Sequence, residues 1–297
     1  MNTSQLRTFL AVLDQGSFSA AAKSLGISQP AVTMQIQALE TELGATLLDR
    51  RYRRIDLTEA GHILEPHARR TVSEIDGARS EIDQLSGEVG GTLCIAASTT
   101  PGVYVVPRLL GAFACKHPLV KVTVTVHDTA EVVSAVEEGR AQLGIVGAVI
   151  RGSRAVFEQY KSDELVAICP PDSPLVGLRR VALSALASER WVVREQGSGT
   201  RAMTERELTA RGLDPAHLQV AAQLSTGEAI VTAVEGGLGV AIVSRFVAEK
   251  SLALGSVVRI ELAGDAIVRP FYTVSPKGTP TRAAAAFMTH LQVGLEG

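Results

Sequence analysis

The sequence predicts a chain of two kinds: an all-α N-terminal part, built as a winged helix-turn-helix with a long helix after it, and a larger α/β part in two lobes. Three observations carry this. Apolar residues recur at helical spacing between glycine stops at the start of the chain. A single apolar stripe then threads a long polar stretch. Beyond it, β-branched runs alternate with helical segments to the end. With 297 residues the chain exceeds one ordinary core, so several domains are expected.

In the first helix Leu6, Phe9, Leu10 and Leu13 fall at i, i+3, i+4 and i+7, and Gly16 supplies the stop. Phe18, Ala21, Ala22 and Leu25 repeat the spacing before Gly26. A third helix carries Val32, Ile36, Leu39 and Leu43 on one face, with Ser28 as N-cap, Pro30 in the tolerant first turn and Gly44 as its stop. Only Gly26–Ser28 join helices two and three, which is a helix-turn-helix connection. Arg50, Arg51, Arg53 and Arg54 follow between strand-like Leu47–Leu48 and Ile55–Leu57, and read as a small basic wing.

From Thr58 to about Ser86 the apolar residues Leu64, Ala68, Val72, Ile75, Ala78, Ile82 and Leu85 keep a mean spacing near that of a coiled coil, with Pro66 interrupting the early turns. Such a stripe needs a cover. A partner chain is the expected one, and packing on its own chain is the alternative. Gly87–Gly91 reads as a hinge. Strands are then expected at TLCIAAS, KVTVTVHD, LGIVGAV, ELVAICP, RWVVRE, LQVAAQL and LGVAIVS, with helices around 103–116, 130–138, 202–210 and 228–235 between them. This alternation predicts parallel sheets in two lobes with a cleft beyond the strands' carboxyl ends.

The stretch VVREQGSGTRAM, Val192 to Met203, runs from a strand through a glycine-rich loop into a helix, the pattern of an anion site at a helix N-terminus. Ser98, Thr99 and Thr100 follow the first strand, and Ser225–Thr226 begin another helix. Hydroxyls and helix-start amides thus point at whatever fills the cleft. The expected ligand-binding residues are Ser98, Thr99, Thr100, Gly147, Val149, Gln196, Gly197, Ser198, Gly199, Thr200, Arg201 and Thr226. Arg201 adds a forked donor if it turns inward. The plainer alternative for GSGT is a turn that caps the following helix through Ser198 or Thr200.

Composition narrows the classes. The formal net charge of −2 excludes a uniformly basic nucleic-acid binder, though not a local basic patch. Cys94, Cys115 and Cys169 are odd in number and far apart, so neither a disulfide framework nor a zinc site is expected; buried inert thiols are the better reading than an oxidant sensor. The start of the chain has no secretory pattern, and no apolar run reaches about 18 residues. A cytoplasmic, reducing setting is expected, with no metal and no cofactor. The dipeptide of a Walker A loop is missing, and the six histidines form no HxxxH pair. An α/β transferase with a phosphate at Gly197–Thr200 is the enzyme alternative; it leaves Leu6–Gly61 unexplained.

The segment FLAVLDQGSFSAAAKSLGISQPAVTMQIQALETELGATLLDRR…LTEAG resembles the N-terminal domain of LysR-type transcriptional regulators over Leu6 to Gly61 almost without gaps, and the domain order after it fits too. The resemblance implies residues 1–57 as a winged helix-turn-helix DNA-binding domain, 58–90 as linker, dimerisation helix and hinge, and 91–297 as an effector-binding domain of periplasmic-binding-protein type. Lobe I would take about 91–163 and 269–297, and lobe II about 164–268. GSGTR resembles the branch holding regulators of carbon fixation and sulfur assimilation, which implies a carboxylate, phosphate or sulfur oxyanion as effector.

The expected DNA-binding residues are Ser17, Ser19, Ser28, Gln29, Pro30, Thr33, Met34, Gln37, Arg50, Arg53 and Arg54. With helix three's apolar stripe turned to the core, Pro30, Met34, Gln37 and Thr41 face outward, Gln29 sits in the first turn, and Gln and Thr can read base edges. The serines offer hydroxyls to phosphates. The family places a wing arginine near the minor groove, and Arg53 matches it; where the family often has Arg or Lys, this chain has Met34. Within residues 1–60, six basic side chains face six acidic ones, so DNA electrostatics must come from arrangement. The implied partners are promoter DNA with a pseudo-palindromic site, a second copy joined through Leu64, Ala68, Val72, Ile75, Ile82 and Leu85, commonly a tetramer, and RNA polymerase. An architectural DNA binder with no ligand is the other alternative; it has no need of a cleft-forming α/β domain.

Overall fold

The computed structural model describes residues 1–49, 55–83 and 89–293. The chain divides into two compact units, Met1–Gly91 with Glu137–Arg140, and Thr92–Val136 with Ala141–Gly297.

The first unit opens with α1 (Thr3–Gln15), α2 (Phe18–Leu25) and α3 (Gln29–Leu43). Their ends are set by short polar and glycine signals. Asn2 accepts from the Gln5 amide in a capping box, Ser17 accepts from Ala20 N, and Ser28 accepts from Ala31 N. Gly16, Gly26 and Gly44 each close a helix in the left-handed conformation, where a Cβ is strained. The helical stripes meet in one core around Phe9, Val12, Ala21, Val32, Ile36 and Leu39. A two-residue hairpin, β1 (Leu48–Asp49) with β2 (Asp56–Leu57), pairs Leu48 with Leu57 and adds Leu47 and Leu48 to that core. Arg50, Arg53 and Arg54 of the expected wing lie outside the described residues.

Helix α4 (Glu59–Asp83) begins where Thr58 Oγ1 accepts from the Gly61 amide, and Pro66 lies within it. Its first turns do not wait for a partner chain. Ala68 is a fully buried member of the unit's own core, with Leu64 and Val72 packed against that core, so this part of the expected dimerisation stripe is covered within the chain, chiefly by α1. The reason is proximity: a stripe that follows directly on a small three-helix core finds apolar surface beside it. Arg69 fastens the arrangement, donating to Asp14 at 2.5 Å and to Glu65 at 3.0 Å, and Arg7 pairs with Asp76. Ile82 stays 66% exposed and Leu85 lies outside the described residues. Gly61 is buried under the hairpin, where a Cβ would overlap the Leu47 carbonyl oxygen and crowd Leu57. Gly61→Ala is therefore expected to cost about 1–3 kcal/mol through forced backbone shifts; circular-dichroism melting of the first unit's helices measures it, and an unchanged melt would refute the packing described.

The second unit holds β3 (Gly90–Ser98), a π-helical turn (Pro101–Val105), α5 (Val106–Lys116), β4 (Leu119–His127), α6 (Thr129–Glu137), β5 (Leu143–Val146), β6 (Val156–Cys169), β7 (Arg190–Arg194), α7 (Gly199–Ala210), β8 (Gln219–Leu224), α8 (Gly227–Glu235), β9 (Ala241–Ser244), α9 (Arg245–Leu254), β10 (Val258–Ile260), β11 (Ile267–Ser275) and α10 (Arg282–Val293). The larger sheet is mixed where a parallel one was expected, while the separate β7–β8 sheet is parallel. β3 with β5 and β7 with β8 are parallel, but β11 runs antiparallel to β5 and β6, and β9 and β10 run antiparallel to β6.

Two lobes result, each with its own core. Ala96, Val132, Val136, Val146 and Val274 fill lobe I; Trp191, Leu208, Ile242, Ile260 and Ile267 lie in one of two clusters of lobe II. β6 and β11 pass between them as a two-stranded ribbon. The start of β6 pairs with the end of β11 beside β5, and the end of β6 carries β9 and β10. Strand β11 and the first half of β6 were not foreseen, because their sequences lack a clean alternation.

Candidate functional site

The ribbon places a cleft of about 330 Å³ between the lobes. Ser98, Thr99 and Thr100 line it from lobe I, where a helical backbone starts at Thr99 directly after β3. Gln196, Gly197, Ser198, Gly199 and Thr200 line it from lobe II, and Gly147 is part of the wall. Gly197 takes φ +87°, which turns the chain from β7 into α7. Ser198 occupies the N-cap position of α7 without any side-chain cap bond. The alternative in which this loop merely caps its helix therefore lacks its bond, and among the described residues no side chain caps the first amides of α7. By contrast Thr226 caps α8 through Ala229 N at 3.1 Å, and it does not line the cleft. Val149 is 48% exposed and also lies off the wall.

Arg201 turns away from the cleft. Its Nε donates to Glu205 at 2.7 Å, and its Nη1 donates to the Arg194 carbonyl and to Gln223 Oε1. The carboxylate of Glu205, one helical turn on, captures it. The cleft's cations are two residues that sequence reasoning passed over. Arg194, at the end of β7, forks onto Glu195 with two bonds of 2.8 Å. Arg269, on β11, is 4% exposed and donates Nε to Asp163 Oδ2 at 2.8 Å, Nη1 to Thr200 Oγ1 at 2.9 Å and Nη2 to Thr100 Oγ1 at 3.0 Å. Asp163 also accepts from Ser244 Oγ at 2.8 Å. His127, Asp128, Thr129 and Ala130 complete the wall, and Asp128 Oδ1 accepts from the Glu131 amide.

The electrostatics follow. Burial pushes the Asp163 carboxyl up and the Arg269 guanidinium down from their ordinary values, and each partner opposes the other's shift. Burial also raises Glu195, but the Arg194 bond and nearby positive charge outweigh it and hold that carboxyl below the usual range. Both cations are thus matched by carboxylates. The rest of the wall offers hydroxyls and helix-start amides able to donate, with His127 and the Asp128 carboxylate beside them.

In the first unit, α3 presents Gln29, Pro30, Met34 and Gln37 to solvent, with Thr33 half-buried beside them. Ser19 Oγ donates to Gln29 Oε1 at 3.0 Å, and the exposed Gln29 keeps its amide nitrogen as a donor. Ser17 and Ser28 act as N-caps. Of the cysteines, Cys115 is exposed and Cys94 half-buried; Cys169 is buried, and burial raises its thiol. Among the described residues no cluster suits a metal ion, and no helix is long and apolar enough to cross a membrane.

A helix-turn-helix unit joined to a two-lobed domain with a donor-lined cleft defines a ligand-responsive DNA-binding regulator. Comparisons specify the family. Residues 3–62 match the model of the bacterial regulatory helix-turn-helix protein, lysR family, and residues 86–295 match the LysR substrate binding domain. The chain belongs to the LysR family of transcriptional regulators. It is 35% identical over 287 residues to the "Probable RuBisCO transcriptional regulator" of Cyanidioschyzon merolae, covering 95% of each chain. Among solved structures it is similar to full-length CbnR complexed with its target DNA (TM-score 0.70, 25% identity, 99% of each chain). It is similar as well to the Synechocystis PCC6803 CcmR regulatory domain in complex with 2-PG (TM-score 0.63, 26% identity, 70% of this chain and 98% of that one).

Proposed function

We propose that this regulator binds a small anionic metabolite in the cleft between its lobes and changes its action at a promoter in response. One observation carries the reading: the cleft's two formal cations are paired, yet the uncapped start of α7 and the hydroxyls of Ser98, Thr99, Thr100, Ser198 and Thr200 all converge there as donors. An acceptor-only group such as phosphate or carboxylate matches that wall. The neighbour bound to 2-PG (2-phosphoglycolate) supports the same ligand class. The cleft is read as a receptor, with Asp163 and Glu195 each held by an arginine. On this reading α3 enters the major groove with Gln29, Thr33, Met34 and Gln37 towards base edges, Ser17, Ser19 and Ser28 towards phosphates, and Arg50, Arg53 and Arg54 on the wing. The chain works in the compartment that holds the DNA, as a homodimer or tetramer on a two-half-site promoter beside RNA polymerase. Ile75 and Ile82 are the part of the α4 stripe left for a second copy.

The test is a gel-shift titration of the duplex upstream of the chain's own gene, with and without millimolar 2-phosphoglycolate, phosphate or sulfate. Binding that weakens steeply with salt, and a shift in affinity or footprint with one of these anions, is the expected result. A protein that binds this duplex no better than random DNA, or ignores all three anions, would overturn the reading.

A further inference from the structure

The ribbon and the cleft meet at one residue pair. Asp163 on β6 and Arg269 on β11 are direct partners across the ribbon. On one side of them Ile267 enters the lobe II core; on the other Val274 enters the lobe I core. The register shifts between Phe271 and Tyr272, with Lys161 and Gln159 as their partners, so Tyr160 is the extra residue of a bulge beside the pair. The Arg269 guanidinium lies 5.2 Å from the Phe271 ring centre, and Tyr160 stacks on that ring. Arg269 is thus fixed from below and reaches up to one hydroxyl from each lobe.

What it does to those hydroxyls is decided by valence. A threonine hydroxyl has one proton and two lone pairs. Thr100 and Thr200 are each 5% exposed, and each accepts from Arg269. A guanidinium has no lone pair to offer in return, so neither hydroxyl can donate to it. Neither donates to a protein acceptor among the described residues, and both line the cleft. That leaves their protons to donate into the ligand space. Accepting from a charged donor also polarises the O–H bond and strengthens it as a donor.

We propose that Arg269 is the positioning residue that sets the cleft's polarity: by donating to Thr100 and Thr200 it fixes both hydroxyls as donors, so that one oxyanion can bridge the two lobes. This rests on the anion reading above. It explains how a cleft with internally neutralised ion pairs still selects an acceptor: the positive charge reaches the ligand through two oriented hydroxyls and not by direct contact. The Asp163 carboxylate holds the guanidinium on the ribbon.

The experiment is calorimetric titration of the full chain with 2-phosphoglycolate, inorganic phosphate and sulfate. Four proteins are compared: wild type, Thr200→Val, the neutral pair Asp163→Asn with Arg269→Met, and that pair combined with Thr200→Val. Wild type is expected to bind at least one anion, and Thr200→Val and the neutral pair each to weaken it by roughly tenfold or more. Adding Thr200→Val to the neutral pair is expected to cost little further, because an unaligned hydroxyl has little left to lose. Equal binding by wild type and neutral pair overturns the proposal and leaves the anion reading standing. So does a Thr200→Val cost that is the same in both backgrounds, which marks Arg269 as structural only. A wild type that binds none of the three anions overturns both. Should the neutral pair fail to melt cooperatively, Arg269→Lys serves in its place. A lysine keeps the charge but lacks the fork, so the same loss and the same missing Thr200 effect are expected.

Discussion

Asp163→Ala is expected to lower the stability of the cleft domain by about 3–5 kcal/mol, the cost of leaving a buried charge without its partner. Arg269 is 4% exposed and Asp163 is fully buried, with the two joined at 2.7 Å. Removing the carboxylate leaves a nearly buried guanidinium without its counter-charge, and it leaves Ser244 Oγ without its acceptor. The hydroxyls of Thr100 and Thr200 still accept from Arg269, but they carry no charge to compensate it. The single tryptophan is the probe: Trp191 sits 1% exposed in lobe II, its Nε1 donating to the Leu186 carbonyl, so its emission follows the unfolding of that lobe. With m-values of about 1–3 kcal/mol/M, the urea midpoint should fall by roughly 1 M or more. Adding Arg269→Met to Asp163→Ala should recover most of the loss, since the desolvated charge goes too. A midpoint unmoved by Asp163→Ala would mean that the arginine finds water, and the buried-pair description would be wrong.

That pair marks the boundary of what the sequence reveals. The helix-turn-helix is readable because its determinants are local: stripes at i, i+3 and i+4, serine caps at Ser17 and Ser28, and glycines in the left-handed conformation at Gly16, Gly26 and Gly44. The Gly197–Thr200 loop is readable for the same reason. Arg269 is not. It lies 169 positions from Thr100, in the stretch IVRPFYTVS, where an arginine amid apolar residues looks like an ordinary outward charge. Only the antiparallel register brings Asp163 opposite it, and register between distant strands leaves no local mark. Arg201 misled for a local reason. It stands beside the glycine loop, but Glu205 is four residues on, and a helical i, i+4 carboxylate captures it. The α4 stripe shows the limit of periodicity: spacing says that a face must be covered, and not by whom. Ala68 went to the chain's own core.

Gln29→Ala is expected to weaken binding to the specific duplex by about 1–3 kcal/mol, roughly five- to 150-fold, while binding to random duplex stays the same. Gln29 is exposed, so the core of the first unit is untouched by its loss. Its Oε1 accepts from Ser19, which holds the carboxamide on the first turn of α3 and keeps the amide nitrogen as a donor. A neutral amide releases no counterion, so the slope of log affinity against log salt should not change. Met34→Arg makes the opposite case. Met34 is 68% exposed on the same helix, at the position where the first unit carries no positive charge. An arginine there should tighten binding to specific and random duplexes alike and steepen the salt slope by about one unit. The two variants separate reading from attraction. Were Gln29→Ala to weaken both duplexes equally and flatten the salt slope, Gln29 would be acting on the backbone. The sequence preference would then have to come from Thr33, Gln37 or the shape of the DNA itself.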